Sequence, residues 1–167
     1  VVGGFETMGA FQRIALGDPL LGTQEDMERV VAVVLSTLPK ERKPGEAVLL
    51  MGHGTHHPSN AFYAALMYQI QLQDPNVFVG TVEGFPGIGV MKDQLKEKGM
   101  RKVYLMPFMS VAGDHAKNDM AGEGGDSWVS ILGRAGFECV PVLKGTAEYN
   151  DFADIWVDHL RGPLAHF

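Results

Sequence analysis

The chain has 167 residues, of which 46% are hydrophobic and 20% charged, a composition typical of one compact globular domain. Its 21 glycines follow no Gly-X-Y period, which excludes a collagen-like chain. Fourteen Lys and Arg residues against twenty Asp and Glu residues give a net charge of -6. This acidic balance argues against nucleic acid or an anionic membrane surface as the main partner.

The cysteine content and the hydropathy pattern bear on location. Cys139 is the one cysteine and lies in an apolar run, which indicates a packed thiol in a reducing compartment rather than a catalytic thiol. No apolar stretch approaches the roughly 18 residues that a membrane span requires. We therefore expect a cytoplasmic protein, with a periplasmic location as the alternative if a signal peptide has been removed.

The first elements along the chain are a short strand and a helix. Residues 11–16 predict a strand, and residues 17–21 predict a turn with an apolar exit. Thr23 then stands three residues before Asp26, as in a capping box, and Pro39 would end the helix that follows. The core-facing stripe of this helix is expected at Met27, Val30, Val31 and Val34.

Strand and helix patterns then alternate four times. Short apolar runs occur at residues 48–51, 77–79, 103–106 and 139–143. Helical spacing of apolar residues follows each run, at residues 62–70, 91–95, 128–132 and 152–160. Continuous apolar runs are typical of strands covered on both faces, and repeated βα units cross over with right-handed connections. The sequence therefore predicts an α/β, flavodoxin-like fold, an open parallel sheet with helices on both faces.

Ligand-type side chains follow the first three of these strands. His53, Glu83 and His115 are separated by about one βα unit each, roughly 30 residues. Because the carboxyl ends of parallel strands meet at one edge of a sheet, we expect the three side chains to converge there. Two imidazoles and one carboxylate suit Co²⁺, Ni²⁺, Fe²⁺ or Zn²⁺, and three protein ligands leave coordination positions open.

Each of the three residues also has a plain structural alternative. His53 can be an ordinary loop residue, although glycines on both sides allow the backbone to approach a bound group. Glu83 can simply place negative charge near the start of the helix expected around Pro86. His115 lies in a loop of about 18 residues, a length more typical of functional or disordered segments than of a simple connection.

The remaining histidines and the methionines are less convincing as ligands. His56 and His57 precede a predicted helix start and are expected to be solvated or near the mouth of the crevice. We expect His159 and His166 at the surface. Met106 and Met109 are interpreted as packing residues rather than soft metal ligands.

Three sequence segments resemble one known family: MGHGTHHP at 51–58, VGTVEG at 79–84 and PFMSVAGDHAKNDM at 107–120. In order and spacing they are similar to the anaerobic cobalt chelatases of the CbiK type, the sirohydrochlorin cobaltochelatases of cobalamin biosynthesis. The resemblance runs from about Ala15 to the C terminus. It implies a class II chelatase fold that inserts Co²⁺ into sirohydrochlorin without a nucleotide, with Fe²⁺ or Ni²⁺ as possible alternative metals.

The resemblance also implies roles and partners. His53, Glu83 and His115 match the family's metal-binding residues, and the two histidines match its catalytic positions. Proteins of the family usually contain two similar α/β halves with the tetrapyrrole between them. On this basis residues 1–22 are a remnant strand and linker from a preceding half, and residues 23–167 are the chelatase-like α/β domain. A homo-oligomer or association with a missing N-terminal half is then expected.

The mechanism implied is transfer of the metal from the three side chains to the pyrrole nitrogens, with the histidines accepting the pyrrole protons. Asp114 or another carboxylate is a candidate to orient a histidine ring. Candidates for binding the substrate's carboxylates are Lys117, Arg13, Lys92 and the backbone N–H groups of residues 84–89 and of Ser127.

Two other function classes compete with this interpretation. A non-catalytic metal or tetrapyrrole carrier would use the same three side chains without a proton acceptor. A histidine-dependent phosphatase is suggested by the sequence His-Gly-Thr at 53–55, but such enzymes carry an Arg directly before the histidine. This chain has Gly52 there.

Overall fold

The protein is built around a parallel sheet. This computed structural model describes residues 4, 8–9 and 13–165. Within that part of the chain the strands are β1 (Ala47–Gly52), β2 (Val77–Thr81), β3 (Lys102–Pro107) and β4 (Glu138–Pro141). They lie in the order β2-β1-β3-β4, and all three neighbouring pairs are parallel. The chain leaves β1 toward β2 on one side and then returns to β3 on the other. The carboxyl ends of β1 and β3 therefore form a topological switch point, where open α/β sheets place their ligands.

Helices connect the strands and cover the sheet. They are α1 (Gln24–Thr37), α2 (Ala61–Gln71), α3 (Ile88–Glu97), α4 (Trp128–Arg134) and α5 (Asn150–Leu164). Short 3₁₀ turns occur at Pro58–Asn60 and Thr146–Glu148, and a single π-helical turn occurs at His115–Met120. The predicted alternation of strand and helix is confirmed.

The core is divided by the sheet into two layers. Val48 and Leu50 of β1 face the layer formed with α1, α2 and α5, whereas Leu49 and Met51 face the layer formed with α3, α4 and the π-helical turn. All six residues of β1 are buried, because helices cover both sides of this central strand. The prediction of an open parallel sheet with helices on both faces is confirmed.

Local signals set several helix ends as predicted. Thr23 and Asp26 form a reciprocal capping box, with the Asp26 N–H donating to Thr23 Oγ1 at 3.1 Å and the Thr23 N–H donating to Asp26 Oδ2 at 2.9 Å. Helices α3 and α4 are followed by Gly99 and Gly136 at φ values of 68° and 92°. This left-handed conformation ends a helix with little strain only when the residue lacks a Cβ.

The segment before α1 differs from the prediction. Residues 13–16 are not a strand, and residues 11 and 12 lie outside the described residues. The chain instead runs beside the helices: Leu20 and Leu21 pack against the core layer of α1 and α5, and the Asp18 carbonyl contacts His159 of α5. The division at residue 22 into two former halves stays a prediction. Among the described residues, no helix combines the length and the apolarity needed to cross a bilayer.

Candidate metal centre

The structure brings His53, Glu83 and His115 together at the carboxyl edge of the sheet. His53 directly follows β1, Glu83 lies just beyond β2, and His115 begins the π-helical turn after β3. One ligand atom from each residue lies within 4.8 Å of the other two. The parallel strands place these side chains side by side, although they are far apart in sequence.

The spacing is close to what one divalent ion requires. The His53 ring lies beside both partners: its Nδ1 atom is 3.8 Å from Glu83 Oε2, and its centroid is 4.8 Å from the His115 centroid, with the two ring planes at 85°. Ligand atoms about 2.1 Å from one ion are roughly 3 to 4 Å apart. The three side chains are 38–50% exposed, so they have room to close onto an ion by small rotations and an ion can reach them from solvent.

Each ring directs its Nδ1 atom to an oxygen of the protein. His53 Nδ1 donates to the Gly54 carbonyl at 3.0 Å, and His115 Nδ1 donates to Asp119 Oδ2. Carbonyl and carboxylate oxygens only accept, so in the neutral ring the proton belongs on Nδ1. Nε2 is then the unprotonated atom in both rings, and it is the atom available to a metal.

The backbone holds His53 and Glu83 at a fixed separation. The Glu83 N–H donates to the His53 carbonyl at 2.8 Å, which continues the pairing of β1 and β2 past their ends. Gly54, the residue after His53, packs against the loop that carries Glu83. It has a φ of 81°, and a Cβ at this position would lie 2.7 Å from the Gly84 nitrogen and 2.8 Å from Thr81 Cβ. Only glycine allows the two loops to approach so closely.

Asn60 connects the same two loops. Its Oδ1 accepts from the Thr55 N–H at 3.0 Å, and its Nδ2 donates to the Phe85 carbonyl at 2.6 Å. The residue lies at the start of α2 and was not predicted as part of the site. A polar side chain preceding a helix predicts a cap, but here the amide joins two strand-end loops instead.

Asp119 is the second residue that the sequence interpretation missed. The carboxylate that contacts His115 belongs to Asp119, one turn later, whereas the suggested Asp114 is exposed. The i, i+4 spacing of His115 and Asp119 was a usable signal, but only if the loop had been recognised as helical.

Other residues singled out as candidates are not members of the cluster of His53, Glu83 and His115. His56 and His57 are exposed, and His57 Nδ1 accepts from the Ser59 N–H at 3.1 Å to cap the 3₁₀ turn. Lys117 is exposed, and Lys92 pairs with its neighbour Asp93 at 3.5 Å.

His159 was expected at the surface, and that expectation is wrong. Its side chain is only 10% exposed, with Nε2 2.8 Å from Asp26 Oδ1 and Nδ1 3.1 Å from the Asp18 carbonyl. Burial acts to raise the pKa of Asp26, but hydrogen bonds from Thr23 and His159 outweigh it and hold that pKa below its usual value. The pair links α1 to α5. His166 lies outside the described residues.

The sulfur-containing residues behave as packing groups. Burial, with a smaller effect of the neighbouring Glu138, raises the pKa of the Cys139 thiol to about 11, so it is protonated and unreactive near neutral pH. Met106 is buried and Met109 is partly buried against the core. The predictions of a packed thiol and of packing methionines are confirmed.

An apolar cleft adjoins two of the loops that form the candidate metal centre. It has a volume of about 560 Å³ and shares the loops that carry His53 and His115, through Thr55 and Met109. Its other walls come from residues 19–21, from α2 and from α5, with the aromatic side chains Phe62, Tyr63, Phe108 and Trp156. Such a lining suits the apolar face of a flat ring.

Comparison with known proteins agrees with this architecture. The model of the family described as cobalt chelatase (CbiK) matches residues 4–164. The curated sirohydrochlorin cobaltochelatase CbiKC of Nitratidesulfovibrio vulgaris (strain Hildenborough) is 47% identical over 155 residues, which cover 93% of this chain and 55% of that protein. The curated sirohydrochlorin cobaltochelatase of Salmonella typhimurium (strain LT2) is 38% identical over 154 residues, covering 92% and 58%. The chain spans about half the length of these relatives. It belongs to the cobalt chelatase (CbiK) family.

Proposed function

We propose that this chain is the metal-inserting part of a sirohydrochlorin cobaltochelatase, which exchanges two pyrrole protons of sirohydrochlorin for one Co²⁺ ion. The observation that carries the proposal is the convergence of His53, Glu83 and His115 within 4.8 Å at the switch point of the sheet. The names of the two curated relatives supply the substrate and the metal.

The three side chains bind the incoming ion first. Glu83 contributes a negative charge, and the histidines contribute Nε2 lone pairs, which together suit a borderline divalent ion. Three protein ligands leave positions open for water and then for pyrrole nitrogens. The ion therefore passes from two imidazole nitrogens and one carboxylate oxygen to the pyrrole nitrogens and keeps ligands throughout.

The pyrrole protons need an acceptor as the ion enters the ring. When the ion leaves the protein, Nε2 of His53 and of His115 becomes free, and a neutral imidazole is a competent base near physiological pH. One Co²⁺ enters and two protons leave, so the charge of the complex is unchanged. The same two rings thus serve as ligands before the transfer and as bases after it.

The apolar cleft is the proposed resting place of the macrocycle. Its lining includes Thr55 and Met109, on the loops that carry His53 and His115, and its aromatic side chains can contact one face of a planar ring. The other face would be covered by a second α/β half, either a further copy of this chain or a separate half of similar fold. We place this assembly in the cytoplasm, where the free thiol of Cys139 stays reduced.

Anaerobic incubation of the protein with sirohydrochlorin and Co²⁺ tests the proposal, with the absorbance of the macrocycle followed over time. We expect catalytic turnover, with many equivalents of metallated product per protein and two protons released per product. Binding of one equivalent without turnover would instead identify a carrier. Parallel reactions with Fe²⁺ and Ni²⁺ measure the metal preference.

A further inference from the structure

The π-helical turn after β3 carries a carboxylate next to one of the three ligands. His115 and Asp119 lie four residues apart on one side of this turn, and His115 Nδ1 donates to Asp119 Oδ2. Ala116 and Met120, each one position later, are fully buried in the core. The turn therefore has one side fixed in the core and the other side directed to the metal centre.

The end of the turn restricts its backbone further. The Gly122 N–H donates to the Asn118 carbonyl at 3.1 Å, and a Cβ at Gly122 would collide with that same carbonyl oxygen. The Ala121 N–H donates to the Ala116 carbonyl at 3.2 Å. His115 and Asp119 are thus held on a defined backbone rather than on a free loop.

Asp119 makes no other polar contact within the described part of the chain. Other acidic residues there join separate elements, as Asp74 does with Arg42 and Asp158 with Arg29. The Asp119 carboxylate is 45% exposed, and among the described residues its one polar partner is His115. Its position therefore serves the ring of His115 rather than the stability of the fold.

We propose that Asp119 is a positioning residue, whose carboxylate fixes the His115 tautomer and ring orientation that present Nε2 to the cobalt ion. This inference rests on the proposed function. A carboxylate behind a ligating histidine also makes the far nitrogen a better donor to a metal. His53 has a neutral carbonyl in the same place, so His115 becomes the more strongly binding of the two rings.

The test compares Asp119→Ala with Asp114→Ala in the full chain. Both variants remove one carboxylate close to His115, but Asp114 is exposed and is not the partner of the ring. Binding of Co²⁺ alone is measured by titration, and thermal unfolding checks that each variant is folded. We expect Asp119→Ala to weaken Co²⁺ binding 10- to 100-fold, as is typical for such partners. Asp114→Ala should change it by no more than about twofold.

Two further measurements separate positioning from a general loss of charge. The ¹⁵N chemical shifts of His115 in the metal-free protein report which ring nitrogen carries the proton, and Asp119→Ala should lose the Nδ1-protonated form that wild type and Asp114→Ala keep. In a double-mutant cycle, Asp119→Ala should cause no added loss of Co²⁺ affinity once His115 is Ala.

Equal weakening by both single variants, additive losses in the cycle, or an unchanged tautomer in Asp119→Ala would overturn the role of Asp119. If wild type failed to bind Co²⁺, the proposed function would fail instead, and the ¹⁵N measurement would still decide whether Asp119 controls the tautomer.

Discussion

Two histidine–carboxylate pairs in this domain have opposite surroundings. His159 and Asp26 are buried between α1 and α5, with side chains 10% and 9% exposed, whereas His115 and Asp119 are 38% and 45% exposed at the edge of the sheet. In the buried pair both ring nitrogens contact protein oxygens. In the exposed pair one nitrogen contacts the carboxylate and the other is left for a ligand.

The comparison shows what makes a histidine available to a metal. The residue types are the same, but His159 uses both nitrogens to join Asp18 and Asp26, so its contribution is to the fold. His53 and His115 each use Nδ1 alone, so each keeps a donor atom. Proximity to a carboxylate is therefore a poor criterion for a ligand, and the number of occupied ring nitrogens is a better one.

The largest expected effect is on the exposed pair. His115→Ala should lower the rate of Co²⁺ insertion by about 10²- to 10⁴-fold, because in the proposed function it removes both a ligand and a base. His159→Phe, the matched change in the buried pair, should leave the insertion rate of the folded protein within about threefold. Initial rates from the absorbance assay check both variants. Equal losses of rate would show that the two histidines do not have separate roles.

The buried pair should instead dominate the stability. Asp26→Ala removes a helix cap and a buried hydrogen bond, and should lower the free energy of unfolding by about 3 kcal/mol while leaving Co²⁺ affinity unchanged. Because the pKa of Asp26 is lowered, its contribution is complete above its usual value of 3.8 and is lost as the pH falls through the folded-state pKa. Denaturant unfolding between pH 2 and pH 7 should show the two proteins converging at the acidic end. Parallel curves would contradict this.

A smaller effect is expected when the loops at the metal centre are forced apart. Gly54→Ala places a Cβ at a φ of 81° and 2.7 Å from the Gly84 nitrogen, which should cost about 1 to 2 kcal/mol of stability. The same displacement separates His53 from Glu83, so Co²⁺ affinity should fall about tenfold, equivalent to about 1.4 kcal/mol. Gly89→Ala is the control, because a Cβ at that position has open space. Unchanged Co²⁺ binding in Gly54→Ala would show that the loop spacing is not critical.

The smallest effect is expected at Cys139, which belongs to neither pair. Its pKa of about 11 keeps the thiol protonated, so iodoacetamide should modify the folded protein slowly and the unfolded protein rapidly at pH 8. Cys139→Ala should leave Co²⁺ affinity unchanged. Mass spectrometry after timed labelling checks the first statement, and rapid labelling of the folded protein would contradict it.

The sequence was sufficient for features that depend on local pattern. The apolar runs predicted the strands, Thr23 and Asp26 predicted the start of α1, and the order of the strands placed His53, Glu83 and His115 on one edge. It was insufficient for Asp119, because a π-helical turn in a glycine-rich loop leaves little periodicity to recognise. The His159–Asp26 pair joins residues 133 positions apart, and no local pattern encodes such a contact.

The amide of Asn60 has a mechanical consequence for the metal centre. Together with the bond from the Glu83 N–H to the His53 carbonyl, it fastens two of the ligand-bearing loops to each other. His115 stands on a separate turn whose anchors lie in the opposite core layer. These contacts therefore keep the backbones of His53 and Glu83 at one separation, whereas neither contact fixes the distance from that pair to His115.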